Sequence, residues 1–353
     1  MITMLEYYPW SKKVLEECLF SMQQGGIPAL DLELTAKCSG AHCIYCDSKP
    51  GVCCFAQSGE LDFPTLERVI LEAKEKGLRW VYTCGLGEPL EDLNFWKAVE
   101  LFKKNNISLS MFSNGIFITD KTIARRLKDH DVNIILKMDT FDSEKFDAIL
   151  GRRGAAKKIY AARDFLLSEG YGANTDGHTN LAFSIVPTSL SIDGIEEVVK
   201  FCKKHGVFAS IGELEHAGEV LKNNLKDTLG ITREQILHLK KIADEYIEGS
   251  YMRPICPCIL AGLHIDNTGN CVVDEDTGLN CKWFLLQDPR IVKLGNVREC
   301  SVKELYQRAS EYRKNVFQAK KKQIEQSGSV SYVFGGCGGN PKDIIELAMK
   351  YYG

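Results

Sequence analysis

Short apolar runs alternate with amphipathic helical patterns between about residues 27 and 212, and this alternation restricts the architecture more than any other feature of the chain. The runs are Ala29–Leu34, Leu78–Cys84, Ile107–Phe112, Val132–Met138, Leu181–Val186 and Val207–Ile211. Between them, Thr65–Lys76 carries apolar residues at Leu66, Val69, Ile70 and Ala73 and is followed by Gly77; helical patterns recur over Leu93–Lys104, Asp120–Lys128, Ala155–Ser168 (followed by Gly170) and Gly194–Lys204 (followed by Gly206). Apolar spacing of i, i+3, i+4, i+7 with a glycine stop predicts a helix. Repeated strand–helix alternation predicts an α/β fold with a parallel sheet, closed as a barrel or open and doubly wound. In either case the functional site lies at the carboxyl ends of the strands.

Composition narrows the function. The chain has 353 residues, 44% of them hydrophobic and 26% charged, with a net charge of −3. That balance gives no reason to expect nucleic acid or an anionic membrane as partner, and no apolar run reaches the length of a signal peptide core or a membrane span. The protein is expected in the cytoplasm. There, 14 cysteines point to metal or cluster ligation rather than disulfides. Cys18 and Cys202 fall on apolar helix faces and are expected to be buried packing residues.

After Gly212 the pattern changes. A capping box, Thr232-x-x-Gln235, opens a helix to about Glu248, and a second, Ser301-x-x-Glu304, opens one reaching about Lys322. Between them Cys256 to Cys281 is rich in Cys, Gly and Asp, and the chain ends in a Gly335-Gly336-Cys337-Gly338-Gly339 knot and a last helix. A domain boundary is expected near residue 250. Residues 1–26, with Tyr7, Tyr8, Trp10 and Leu19, are expected to form an N-terminal docking helix.

The first strand runs into Glu33-Leu34-Thr35-Ala36-Lys37-Cys38, followed by Cys43 and Cys46 with Tyr45 between the last two. Three thiolates at a strand mouth can hold a metal centre and leave one position open for chemistry, whereas a structural site closes all four. The second strand ends in Cys84-Gly85-Leu86-Gly87-Glu88-Pro89 and the third in Phe112-Ser113-Asn114-Gly115. The fourth ends in Lys137-Met138-Asp139-Thr140, with Leu150-Gly151-Arg152-Arg153-Gly154 beyond it. In this order and spacing the segments resemble the radical SAM superfamily, although the usual Cys-x3-Cys-x2-Cys motif here has an extra residue between its first two cysteines.

The resemblance implies a partial parallel (β/α)6 barrel over residues 27–250. It implies a [4Fe–4S] cluster on Cys38, Cys43 and Cys46 whose free iron is chelated by S-adenosylmethionine. Gly85, Gly87 and Glu88 would hold the methionine ammonium, and Ser113 and Asn114 would lie near the ribose and carboxylate. Lys137 and Arg152 or Arg153, with Arg153 preferred, would pair with the carboxylate; Tyr45 would join this cofactor site, and Asp139 would face substrate as a catalytic group or else cap a helix. One electron from the reduced cluster, brought by a flavodoxin- or ferredoxin-type donor, would yield methionine and a 5′-deoxyadenosyl radical that takes hydrogen from substrate.

Residues 251–353 resemble the smaller Cys-rich auxiliary-cluster extensions called SPASM and twitch. Cys256-Pro257-Cys258, the Asp266–Asn270 turn between Leu263–Ile265 and Cys271–Val273, Leu294-Gly295-Asn296-Val297 and Gly335-Gly336-Cys337 carry that likeness. The cysteine count suits one auxiliary [4Fe–4S] cluster on Cys258, Cys271, Cys281 and Cys337, with Cys256 as competitor and Cys300 as a structural residue. Zinc would suit four thiolates too, but the chain carries a single Cys-x2-Cys, at Cys43–Cys46. Cys53 and Cys54 read as loop thiols. The implied substrate is a peptide or protein, or else a small molecule such as a sugar or cofactor precursor, and the implied outcome is net oxidation or cross-linking. A non-enzymatic iron–sulfur or zinc protein is the reading from another class.

Overall fold

The computed structural model describes residues 12–48, 59–172, 179–212, 214, 217–246, 262–275 and 291–327. Helix α1 (Lys12–Gln23) precedes β1 (Ala29–Leu32), and strand–helix units follow in chain order. These are α2 (Phe63–Glu75), β2 (Trp80–Thr83), α3 (Phe95–Lys104), β3 (Ser108–Ser113), α4 (Lys121–Asp129) and β4 (Val132–Lys137). Then come α5 (Ser143–Ile149), α6 (Ala155–Ser168), β5 (Leu181–Ile185), α7 (Ile195–His205) and β6 (Phe208–Ile211). Short helices α8 (Gly218–Lys222) and α9 (Lys226–Leu229) lead to α10 (Arg233–Tyr246), the strands β7 (Gly262–Ile265), β8 (Asn270–Asp274) and β9 (Ile291–Asn296), and the long α11 (Val302–Ser327).

The strands form one sheet in the order β6-β5-β4-β3-β2-β1-β7-β8-β9. β1 to β6 pair in parallel, each with the next in sequence, which is the expected partial barrel. The parallel strands are short and buried because helices cover the sheet. α2 is representative: it buries Leu66, Val69, Ile70 and Ala73 in the core, and each apolar side chain of Leu or Val size removed from water contributes about 1.5–3 kcal/mol. Its start is set by Asp62, whose carboxylate accepts the Thr65 N–H, and by a proline in its first turn.

Most expected elements recur with their ends shifted by one or two residues. The apolar runs start before the strands they announce because Leu78, Ile107 and Val207 are buried core residues ahead of the first ladder pair. Helix α5 was not anticipated from the sequence. It has seven residues, too few to show a helical repeat, and is started by Asp142, which accepts the Glu144 and Lys145 N–H groups.

Beyond residue 250 the chain returns to the same sheet. β7 pairs in parallel with β1, Asp31 opposite His264, and β8 and β9 add antiparallel strands. The expected hairpin turn forms: Asp266 Oδ1 accepts the Thr268 and Asn270 N–H groups at 2.8 and 2.9 Å, and Asn296 in β9 donates to the Thr268 carbonyl at 3.2 Å. Asp31 and His264 form a buried pair at 2.9 Å across the β1–β7 seam. Burial opposes charging the imidazole, but the Asp31 carboxylate outweighs it and raises the His264 pKa. At the other end, α1 buries Cys18 and Leu19, and its Glu17 pairs at 2.8 Å with Arg79, which directly precedes β2. Tyr7, Tyr8 and Trp10 lie outside the described residues. Cys202 is buried in α7, as expected.

Candidate functional site

The carboxyl ends of β1 to β4 converge on one cavity of about 170 Å³. Cys38, Cys43 and Cys46 line it from the β1 loop, with Tyr45; Gly85, Gly87 and Glu88 line it from the β2 end; Ser113 and Asn114 from β3; and Lys137 from β4. The sequence-predicted groups are therefore brought together, joined by Asp47, Ser48, Cys84, Phe112, Ile135, Ser184 and Val186.

The cysteine loop has no regular structure, and backbone bonds from three other segments hold it. The Glu88 N–H donates to the Lys37 carbonyl at 2.7 Å, the His42 and Ile44 N–H groups donate to the Leu150 and Ile149 carbonyls at 2.8 and 2.9 Å, and the Glu219 N–H donates to the Cys46 carbonyl at 2.9 Å. The four residues between Cys38 and Cys43 are clasped as well. The Ser39 N–H donates to Glu91 at 2.5 Å, and Arg152 donates to the Ser39 and Gly40 carbonyls. The His42 side chain is exposed and does not line the cavity.

Two glycines make these approaches feasible. A Cβ on Gly87 would sit 2.5 Å from the Lys37 carbonyl oxygen. Gly151 has φ +59° and lies where a Cβ would collide with the His42 carbonyl. Gly151→Ala is expected to cost about 1–3 kcal/mol and to loosen the cysteine loop. Thermal unfolding and iron retention after reconstitution check this, and wild-type values in both would refute it.

Charge in the cavity is set by burial. Glu88 is 1% exposed; its Oε1 accepts the Ser113 hydroxyl at 2.8 Å and its Oε2 the Asn114 N–H at 2.7 Å. Burial raises its pKa to about 7 against the lowering effect of those bonds. Burial likewise raises Cys38 to about 12, helped by Glu88, and Cys43 to about 11, opposed by Lys137. Asn114 Nδ2 donates to Cys38 Sγ at 3.5 Å.

Lys137 stands 4.3 Å over the Tyr45 ring and donates to Asp139 at 2.8 Å. Burial would lower its pKa, but Asp139 and Cys43 raise it. The Tyr45 hydroxyl donates to the same Asp139 oxygen at 2.5 Å and also receives a bond from Lys137. The Val186 N–H donates to the other Asp139 oxygen at 3.0 Å. Asp139 is fully buried and does not line the cavity. This corrects the expectation that it faces substrate: it is an anchor for Lys137 and Tyr45. The carboxylate-binding role assigned to Arg153 is corrected too. Arg153 is exposed and off the cavity, while its neighbour Arg152 is spent on the cysteine loop.

The donor set tests which metal centre fits. A single zinc ion gathers its thiolates to Zn–S bonds of about 2.3 Å, so its sulfurs nearly touch. Among the described residues no three His, Cys, Asp or Glu side chains are gathered closely enough to hold one ion. Three thiols brought by one loop to one cavity, which Cys84, Asp47 and Glu88 also line, suit a polynuclear cluster. Of the auxiliary set, Cys258, Cys281 and Cys337 lie outside the described residues, as do Cys256, Cys53 and Cys54. Cys271 is buried in β8, and burial raises its thiol to about 12 despite nearby Arg313 and Arg308. Cys300 is half-buried and accepts from Arg308 at 3.5 Å.

Reasoning from sequence missed Glu33. It is 2% exposed, and its carboxylate accepts the backbone N–H groups of Cys84, Gly85 and Leu86. The available signal was an acid on a strand that must be buried on both faces.

No protein-family model matches the chain. The mycofactocin maturase MftC of Mycolicibacterium smegmatis is 24% identical over 267 residues, 73% of this chain and 65% of the maturase, so the chain spans slightly less than two thirds of that relative. A probable GTP 3′,8-cyclase of Methanococcus vannielii is 25% identical over 260 residues, 69% of this chain and 79% of the cyclase. Among solved structures, Streptococcus suis SuiB bound to S-adenosylmethionine superposes with TM-score 0.54 at 16% identity, covering 82% of this chain and 67% of SuiB. Native anSMEcpe with bound AdoMet superposes with TM-score 0.53 at 18% identity, covering 92% of this chain and 95% of its own. SuiB bound to its precursor peptide SuiA gives TM-score 0.53 at 15% identity over 82% of this chain and 68% of SuiB. The solved structures support the partial-barrel fold. Among the described residues no helix is long and apolar enough to cross a membrane.

Proposed function

We propose that this chain is a radical SAM enzyme that reductively cleaves S-adenosylmethionine and abstracts hydrogen from a peptide or protein substrate. The observation that carries the reading is the meeting, in one cavity, of three thiols from the β1 loop with the Gly85–Glu88 turn, Ser113–Asn114 and Lys137. Cys38, Cys43 and Cys46 would hold a [4Fe–4S] cluster, and a cluster with S-adenosylmethionine bound supplies the electron and the 5′-deoxyadenosyl radical.

The chain's own residues bind, orient and exclude water. Gly87 brings the β2 end against the cysteine loop, so the methionine head of the cofactor would meet this turn and the cluster together. Lys137, fixed by Asp139, offers a cation for the methionine carboxylate. Tyr45, bonded to Asp139, holds one ring face against the Lys137 ammonium. Glu88 fixes Ser113 and Asn114, which would lie near the ribose. Cys271 belongs to the proposed auxiliary set with Cys258, Cys281 and Cys337, for a second [4Fe–4S] cluster as electron acceptor or substrate anchor. A flavodoxin- or ferredoxin-type protein would deliver the electron.

The peptide reading is favoured by the maturase relative and by the SuiB structure with a bound precursor peptide. The similarity to a probable GTP 3′,8-cyclase favours a second reading, with a small-molecule substrate. Protein reconstituted anaerobically with iron and sulfide, then given S-adenosylmethionine and dithionite, is expected to form 5′-deoxyadenosine. Absence of that product from cluster-loaded protein would sink the enzyme reading.

A further inference from the structure

We propose that Glu33 is a positioning residue of the S-adenosylmethionine site: its carboxylate fixes the Cys84–Leu86 backbone so that this turn recognises the ammonium of the cofactor and rejects anions. The inference rests on the function proposed above. Glu33 follows β1 directly, on the strand face it shares with Asp31, and its own N–H donates to Ile265 of β7 at 2.9 Å. Its carboxylate reaches across to the end of β2, where Oε1 accepts the Cys84 N–H at 3.0 Å and Oε2 accepts those of Leu86 and Gly85 at 3.0 and 3.3 Å.

Three consecutive amides converging on one anion form a nest of the kind that elsewhere binds phosphate. Here the anion is a side chain of the protein. With those N–H groups engaged, the backbone of Cys84, Gly85 and Leu86 can present a ligand only with carbonyl oxygens, which accept. Glu88 adds a second buried carboxylate next to the same turn. Carbonyl acceptors backed by the Glu33 carboxylate suit a primary ammonium and disfavour a phosphate or a carboxylate. A glycine-rich turn at a strand end, otherwise ambiguous between anion and cation, is thereby assigned a sign by a residue on the neighbouring strand.

The test compares two ligands on anaerobically reconstituted protein. S-adenosylhomocysteine carries the amino-acid head, and 5′-methylthioadenosine lacks it. Glu33→Gln keeps the size but sets an amide N–H2 against the turn's own donors. Loss of this charged acceptor is expected to weaken S-adenosylhomocysteine about tenfold or more, with 5′-methylthioadenosine affinity and iron content unchanged. Glu33→Asp, which keeps the charge, is expected to lose less; should Glu33→Gln fail to hold iron, Glu33→Asp against wild type carries the same comparison. Unchanged S-adenosylhomocysteine binding, or equal weakening of both ligands, would overturn the proposal and leave the radical SAM reading intact. Wild-type protein that loads iron but binds neither ligand would instead overturn the radical SAM reading and this proposal with it.

Discussion

Replacing Cys38, Cys43 and Cys46 together by alanine is expected to abolish 5′-deoxyadenosine formation while leaving about four irons per chain, the content of one remaining cubane. The three thiols are the proposed protein ligands of the first cluster, and their loop has no regular structure of its own that the substitutions would break. Its backbone is held by Glu88, Leu150, Ile149 and Glu219 through main-chain bonds, which alanine leaves in place. The variant should therefore fold and keep the second site. Anaerobic iron and sulfide determination, with product assay, reads both outcomes. Retained 5′-deoxyadenosine would remove the triplet from the reaction, whereas a variant with no iron at all would remove the auxiliary cluster and return a zinc or metal-free C-terminal segment to consideration.

Lys137→Met is expected to lower the stability of the apoprotein by about 3 kcal/mol, the cost of leaving a buried carboxylate without its counter-charge. Asp139 is fully buried, and among the described residues it retains, without Lys137, the Tyr45 hydroxyl and the Val186 N–H as donors. A double variant, Lys137→Met with Asp139→Asn, removes the charge as well as its partner and should recover most of the loss. Urea unfolding of the single and double variants measures this directly. A single variant as stable as wild type would show that Asp139 is satisfied without the lysine, and that the pair is not what joins β4 to the Tyr45 loop.

The partial barrel was legible because its signals are local. Leu66, Val69, Ile70 and Ala73 announce a helix face without reference to the rest of the chain, and Gly-, Asn- and Cys-containing strand ends can be counted off in order. The cavity followed from that order, since consecutive parallel strands place their carboxyl ends side by side. What escaped depends on pairing across distance. Asp31 and His264 are 233 positions apart, and nothing in either neighbourhood names the other. Glu33 reads as one polar step in an alternating strand until its three amide partners are seen. Arg152 and Arg153 are adjacent in sequence and equivalent on paper, but only Arg152 meets the cysteine loop. The resemblance suggests chemistry for Asp139, with helix capping as the alternative; its oxygens are instead occupied by Lys137, Tyr45 and the Val186 N–H.

The seam between β1 and β7 has a consequence for how the molecule can be divided. Because β7 occupies the open side of β1, a chain cut near residue 250 would turn the strand that delivers the cysteine loop into a bare edge, a template for pairing with other molecules. The same cut would strip the buried Asp31 of its His264 partner. Strands β7 to β9 are thus not a detachable module but the selvedge of the barrel's fabric, and they are expected to melt with it in a single transition.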